Sequence, residues 1–136
     1  MTVVLDTNVV LALYDAADPD HALVAGWIAT LDEDLVATPL AVAEMDYLVH
    51  QRGGDLARDA LWRDLEAGAY VVRWWADALN ETLRIARRHP FAGLTDASLV
   101  ALAGLLRTRR IATVDQHFRS MTTPAGEPFV LLPDDA

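Results

Sequence analysis

The chain has 136 residues, 53% of them apolar, with 20 acids against 11 bases and a net charge of -9. That length supports one domain, burying roughly two thirds of its extended surface, with no room for a second core. The absence of cysteine excludes disulfide scaffolds, thiolate zinc sites, iron-sulfur clusters and thiol nucleophiles, and the negative balance argues against a protein that coats nucleic acid by electrostatics alone.

Thr2 to Leu5 is a short apolar run rich in β-branched residues and predicts a buried strand ending at Asp6. No basic segment or small-residue cleavage site precedes it, and no apolar run approaches the roughly 18 residues of a membrane span. A soluble cytoplasmic protein is expected. Asn8 leads one or two helical turns through Tyr14. Asp18 and Pro19 read as a cap followed by a first-turn proline, predicting a helix over about 19–31 with Leu23, Val24, Trp27, Ile28 and Leu31 as its stripe.

Leu35 to Ala37 predicts a second buried strand, and Thr38 and Pro39 repeat the cap-and-proline signal for a helix through about His50. Gly53 and Gly54 break it. Asp55 is expected to cap a further helix with Leu56, Ala60, Leu61 and Leu65 inward, ended by Gly68. Tyr70 to Trp74 predicts a third strand. Adjacent Trp74 and Trp75 cannot both point inward there, so one is expected at an interface.

Asp77 leads a helix to about His89 with Leu79, Leu83 and Ala86 inward, stopped by Pro90. Asp96 then opens a helix through Leu106 that is apolar on nearly every side and must be covered on most of its surface. Ile111 to Thr113 and Phe129 to Leu132 supply the last two strands, and Pro133 to Ala136 is expected to fray. Strands alternating with helices of ten or more residues predict a single α/β domain spanning 1–136. It is a three-layer α/β/α arrangement around a mostly parallel five-stranded sheet.

In such a sheet the binding crevice lies beyond the carboxyl ends of the strands, where strand order reverses. Asp6, Asp96 and Asp115 all fall at that edge, although each has a plain alternative as a helix or turn cap. Glu44 shares a helix face with Leu40 and Leu48, which is costly for a carboxylate without an arginine, a hydrogen-bond set or a metal. Asp46, about 160° round the helix, cannot serve the same site and is read as partnered or solvated surface. Four acids in one cleft repel unless a cation sits among them, and hard oxygen ligands select Mg²⁺ or Mn²⁺. Phosphodiester hydrolysis is the reaction class that follows.

Asp6-Thr7-Asn8 after the first strand, Glu44 in the next large helix, Asp96-Ala97-Ser98-Leu99-Val100-Ala101-Leu102-Ala103, and Thr113-Val114-Asp115-Gln116-His117-Phe118 together resemble the PIN-domain family. Size and spacing are similar to the VapC toxins of bacterial toxin-antitoxin pairs. The resemblance runs from Val3 to Leu132. It implies an endoribonuclease dependent on one or two Mg²⁺ or Mn²⁺ ions held by Asp6, Glu44, Asp96 and Asp115, with Thr7, Asn8 and Thr113 in support. It also implies an RNA substrate, a homodimer and a cognate antitoxin. Arg52, Arg73 and Arg119 are the candidate RNA contacts near loop ends, and His117 is read as a cap, a surface residue or an RNA contact.

Three rivals stand beside this reading. A Mg²⁺-dependent phosphatase or a DNA nuclease would also use clustered acids, but the Asp-x-Asp pair of aspartyl-phosphate phosphatases is missing after the first strand. A phospho-accepting receiver needs a lysine, and the chain has none. A non-enzymatic interaction module would use the acidic cleft to bind a basic peptide.

Overall fold

The computed structural model describes residues 1–136. In chain order the elements are β1 (Thr2–Leu5), α1 (Thr7–Tyr14), α2 (His21–Thr30), β2 (Asp34–Ala37), α3 (Pro39–Glu66), β3 (Tyr70–Val72), α4 (Ala78–Arg88), α5 (Gly93–Leu106), β4 (Arg110–Ala112), a 3-10 turn over Gln116–Ser120, and β5 (Val130–Leu132). The strands form one sheet in the order β3-β2-β1-β4-β5, and every pairing is parallel. The five-stranded α/β fold expected from the sequence is therefore present, with a wholly parallel sheet. Strand order reverses between β1 and β4, so the crevice at the carboxyl edge opens beside Asp6 and Thr113.

Burial follows the strand and helix patterns. Val3, Val4 and Leu5 of β1 are wholly enclosed, as a central parallel strand covered on both faces requires. In α5 the seven residues Ala97 to Ala103 are all buried. Trp27 packs against the edge of the core, as expected. No single helix is long and apolar enough to cross a membrane.

Several boundaries move. Helix α2 starts at His21 because Asp18 is spent in a turn: its Oδ1 accepts from the Asp20 amide at 2.8 Å and its carbonyl from the His21 amide at 3.0 Å. The glycine break in α3 is at Gly54, whose φ of 69° and ψ of -159° suit only a residue without Cβ. Across that bend the Asp55 carboxylate meets His50 Nε2 at 2.9 Å. The following turns bury Leu61 and half-bury Ala57 and Leu65, whereas Leu56 is 88% exposed, so the inward stripe begins one residue later than expected. Strand β3 ends at Val72, although the Arg73 amide still donates to Ala37 O at 2.9 Å.

In α4 the inward face consists of the small residues Ala78 and Thr82, which lets the helix lie close on α5 and leaves Leu79 53% exposed. The carboxyl end is pinned: Asp135 accepts from the Leu131 amide at 2.8 Å and from Arg119 at 2.9 and 3.1 Å, and Pro133 is buried. It does not fray, because these contacts supply the ordering that a polar tail lacks locally.

Candidate functional site

Strand β1 delivers Asp6 to the sheet edge as the N-cap of α1, 4% exposed. Its Oδ1 accepts from the Thr7 amide at 2.8 Å and its Oδ2 from the Thr113 hydroxyl at 2.9 Å. Thr113 Oγ1 in turn accepts from Asn8 Nδ2 at 3.2 Å and from the Asp115 amide at 3.0 Å. Asn8 Oδ1 accepts from the Val114 amide at 3.1 Å. One hydroxyl thus ties the end of β1, the first turn of α1 and the loop after β4 into a single frame. The supporting positions expected of Asn8 and Thr113 have this physical content: they fix where Asp6 and Asp115 stand.

Helix α3 starts at Pro39 because Thr38 caps it, its Oγ1 accepting from the Ala41 amide at 3.3 Å. The same hydroxyl bonds Ser98 Oγ at 2.7 Å, and Ser98 also donates to Thr95 O at 2.6 Å. This buried pair locks the start of α3 to the start of α5. Glu44 and Asp96 are carried on those two helices. Asp96 does not begin its helix as a cap. Gly93 starts α5 three residues earlier at φ 74°, which puts Asp96 inside the first turn. There it is free of capping duty and beside the positive end of the helix.

These elements enclose a cleft of about 410 Å³. Asp6, Glu44, Asp96 and Asp115 all line it, with Thr7, Asn8 and His117 beside them. All four acids singled out in the sequence therefore reach one cleft. Asp46 does not; it lies on the other side of α3, held by Arg58 at 2.9 and 3.0 Å and by Trp62 Nε1 at 2.7 Å. Glu44, Leu40 and Leu48 flank the buried Ala41-Met45-Val49 stripe at intermediate exposure, so the carboxylate reaches the cleft without entering the core.

The electrostatics record the crowding. Burial and then the neighbouring Asp96 push the Asp6 carboxyl up to about 7, against the opposing hydrogen bonds from Thr113 and Thr7. Asp96 is raised by burial and by the charges of Glu44 and Asp115, which outweigh the pull of His117. His117 places Nε2 2.7 Å from Asp96 Oδ2 and Nδ1 2.6 Å from Asp115 Oδ2. Burial opposes its charge, but the two carboxylates win and its imidazole is held above the usual range. When the ring is protonated, both of its nitrogens donate, one to each carboxylate. Burial also works against the Asp115 carboxylate, and the bonds from His117 overcome it and hold that group below the usual range.

The donor set fits a hard divalent cation. It offers four carboxylates and no thiolate, and Asp6 is left crowded by like charge. Thr7 Oγ1, buried in the same cleft, has no hydrogen-bond partner. As arranged here, His117 holds Asp96 and Asp115, and no three acidic or histidine side chains surround a common point.

His117, read from the sequence as a cap, a surface residue or an RNA contact, has a role that reading missed: it bridges Asp96 and Asp115. The one local signal is its place two residues after Asp115, one 3-10 turn on, where the ring folds back over the cap. The arginines expected as RNA contacts lie outside the cleft. Arg52 bonds Asp18 at 2.9 Å and Arg119 bonds Asp135, whereas Arg73 is exposed and has no carboxylate partner. Of the tryptophan pair, Trp75 donates to Glu81 at 3.2 Å and Trp74 is the more exposed.

Comparison with known proteins bears on the family and the fold. The family model described as PIN domain matches residues 3–123. Ribonuclease VapC26 of Mycobacterium tuberculosis is 38% identical over 134 residues, covering 96% of this chain and 99% of that protein. Among solved structures, M. tuberculosis VapC20, described as a sarcin-ricin loop cleaving toxin, superposes with a TM-score of 0.79 at 20% identity, covering 87% of this chain and 93% of the other. VapBC2 from Rickettsia felis, bound to a DNA fragment from its promoter, gives 0.66 at 12% identity, with 96% and 97% covered. FitAcB from Neisseria gonorrhoeae gives 0.59 at 24% identity, with 85% and 88% covered. With a family model matched over residues 3–123 and a 38% identical relative covering 96% of its length, the chain belongs to the PIN-domain family.

Proposed function

We propose that this protein is a divalent-metal-dependent endoribonuclease and the toxin of a VapBC-type toxin-antitoxin pair. The observation that carries the reading is the convergence of Asp6, Glu44, Asp96 and Asp115 on one cleft, with Asp6 pushed up to about 7. The ribonuclease activity of the 38% identical VapC26 supports the reaction class. The toxin-antitoxin complexes among its structural neighbours support an antitoxin partner, and a homodimer is part of the same reading.

Asp6, Glu44, Asp96 and Asp115 are the residues that would hold the metal. Bound there, Mg²⁺ or Mn²⁺ would supply the positive charge that polarises a phosphodiester and lowers the pKa of water for in-line attack. The chain's own residues do the positioning. Thr113 and the Thr7 amide hold both oxygens of Asp6, Asn8 fixes the loop after β4, and the Thr38–Ser98 bond sets α3 against α5. His117 holds Asp96 and Asp115 together while the carboxylates have no other cation. No side chain is required as nucleophile.

The test is purified, antitoxin-free protein incubated with total bacterial RNA and Mg²⁺ or Mn²⁺, followed by mapping of the cut ends. Discrete metal-dependent cuts that Asp96→Asn abolishes are expected. A folded protein that cuts no RNA under any divalent cation would overturn the reading in favour of an interaction module, and cleavage of DNA or of phosphomonoesters alone would favour the other acid-cluster enzymes.

A further inference from the structure

A second cavity, larger than the acidic cleft, lies outside it. It is a groove of about 620 Å³ between α4, α5 and the 122–126 loop. Its floor is apolar, from Ile85 on α4 through Val100 and Leu105 on α5 to Pro124. Its wall carries Arg84 and Arg88 on α4 and His89 just past the end of that helix. Glu81 stands at one end, where its carboxylate is bonded to Trp75.

The charge on this wall is free to bind. Arg52, Arg58, Arg63, Arg110 and Arg119 each meet a carboxylate within 4.0 Å, whereas Arg84 and Arg88, like Arg73, Arg87, Arg107 and Arg109, have no such partner, and of these six only Arg84 and Arg88 line this groove. In a chain of net charge -9, two unpaired guanidinium forks facing one apolar-floored groove favour an anionic ligand with a flat, apolar body. A nucleotide has that chemistry.

The groove lies next to the cleft along α5. Asp96 and Val100 lie one above the other on α5, so the groove begins about 6 Å along that helix from the acid. The α4–α5 turn separates the two sites, with His89 lining the groove and Ala92 and Gly93 lining the cleft. On that turn Phe91 is 62% exposed and meets the His89 ring edge-on, centroids 5.8 Å apart. An exposed aromatic ring between an acidic cleft and a cationic groove is the arrangement on which an unpaired base stacks.

We propose that single-stranded RNA whose scissile phosphate occupies the acidic cleft continues across Phe91 into the α4–α5 groove, where Arg84 and Arg88 hold its flanking phosphates. This rests on the ribonuclease reading and names the part of the substrate that the groove takes. The arginines are substrate-positioning residues outside the reacting centre, and the groove gives the protein a preference for RNA long enough to span both sites.

The test is fluorescence anisotropy in chelator, so that nothing is cleaved, with labelled oligouridylates of about 4 and about 16 nucleotides. Wild type is compared with Arg84→Ala/Arg88→Ala, Phe91→Ala and the control Arg107→Ala, all checked for an unchanged melting temperature. Wild type is expected to bind the longer probe more tightly. The double variant should lose about tenfold on that probe, with a salt slope lower by one to two, because each phosphate contact on a single strand contributes about 0.7. Phe91→Ala should also weaken the longer probe selectively, and Arg107→Ala should match wild type.

A double variant that binds the longer probe as tightly as Arg107→Ala overturns the proposal. So does wild type that does not distinguish the two lengths, or polyglutamate that displaces the longer probe as well as unlabelled oligouridylate does, which would mark an acidic-peptide site. Cleavage of total RNA with Mn²⁺ is scored separately. Cleavage that persists while the groove variants bind normally removes this proposal and leaves the ribonuclease reading intact, whereas length-dependent binding without any cleavage overturns the ribonuclease reading and reduces the groove to an RNA-binding surface without a scissile phosphate.

Discussion

His117 sits 2.7 Å from Asp96 through Nε2 while its other nitrogen meets Asp115, so one imidazole ring occupies the space between two acids that line the cleft. A protonated ring and a divalent cation satisfy the same carboxylates, and they compete. His117→Ala is expected to bind Mn²⁺ about three- to tenfold more tightly near pH 6.5, equivalent to roughly 1 kcal/mol of relieved competition. Titration calorimetry checks this. Weaker binding would mean that the ring organises the site instead of competing for it.

The raised Asp6 pKa predicts how stability depends on pH without metal. The folded value of about 7 lies above the ordinary 3.8, so the folded state binds the extra proton. The associated stability is complete below about 3.8 and is lost as pH rises toward 7. His117, raised above 6.5, adds the same sign at higher pH. The melting temperature of metal-free protein should therefore fall between pH 5 and pH 8. Asp6→Asn removes its own share of that slope, leaving the shares of Asp96 and His117, and raises stability at pH 8 by a few kcal/mol at most, since each tenfold change in proton affinity is worth about 1.4 kcal/mol. Thermal unfolding in chelator reads both, and a wild-type curve that rises with pH over this window would contradict the assignment.

Two acids two residues apart on α3 should separate function from stability. Asp46 is held by both Arg58 nitrogens and by Trp62, with the Arg58 guanidinium 5.3 Å from the indole centroid, and it does not line the cleft. Asp46→Ala should cost about 1 kcal/mol of stability and leave RNA cleavage near wild type. Glu44→Gln should do the reverse, reducing cleavage about a hundredfold or more with little change in denaturant midpoint. Cleavage rates and urea melts on the two variants decide it.

The contrast between Asp46 and Glu44 is legible in sequence, because helical periodicity alone puts them on different faces. So are the strand that ends at Asp6, the capped start of α3 at Pro39, and the α/β alternation that brings Asp6 and Asp115 to one edge. Relations made across the chain are not legible. Arg52 reaches back 34 residues to Asp18, Arg119 pins Asp135, and His117 reaches Asp96 across 21 residues, none of which leaves a local pattern. The true start of α5 is hidden because its first turn, Gly93 to Thr95, carries no apolar period, and the run from Ala97 makes Asp96 look like a cap. Leu79 looks inward by hydrophobicity, yet close packing of α4 on α5 favours Ala78 and Thr82 inside, where residue size decides.

Gly54 gives a test of the bend in α3. At φ 69° and ψ -159° a side chain is strained wherever its atoms have space, and nothing lies within 4 Å of the position a Cβ would take. Gly54→Ala should therefore destabilise the protein by about 1–3 kcal/mol through backbone strain alone. A urea melt that shows no loss would mean that the helix straightens through this position.

The central claim is that Asp96 and its three acidic neighbours hold a divalent cation in common, and Mn²⁺ titration into metal-free wild type and Asp96→Asn tests it most directly. Saturable binding to wild type that Asp96→Asn weakens at least tenfold is predicted. Equal binding by the two proteins, or no binding by wild type at pH 8 where Asp6 is ionised, would contradict it.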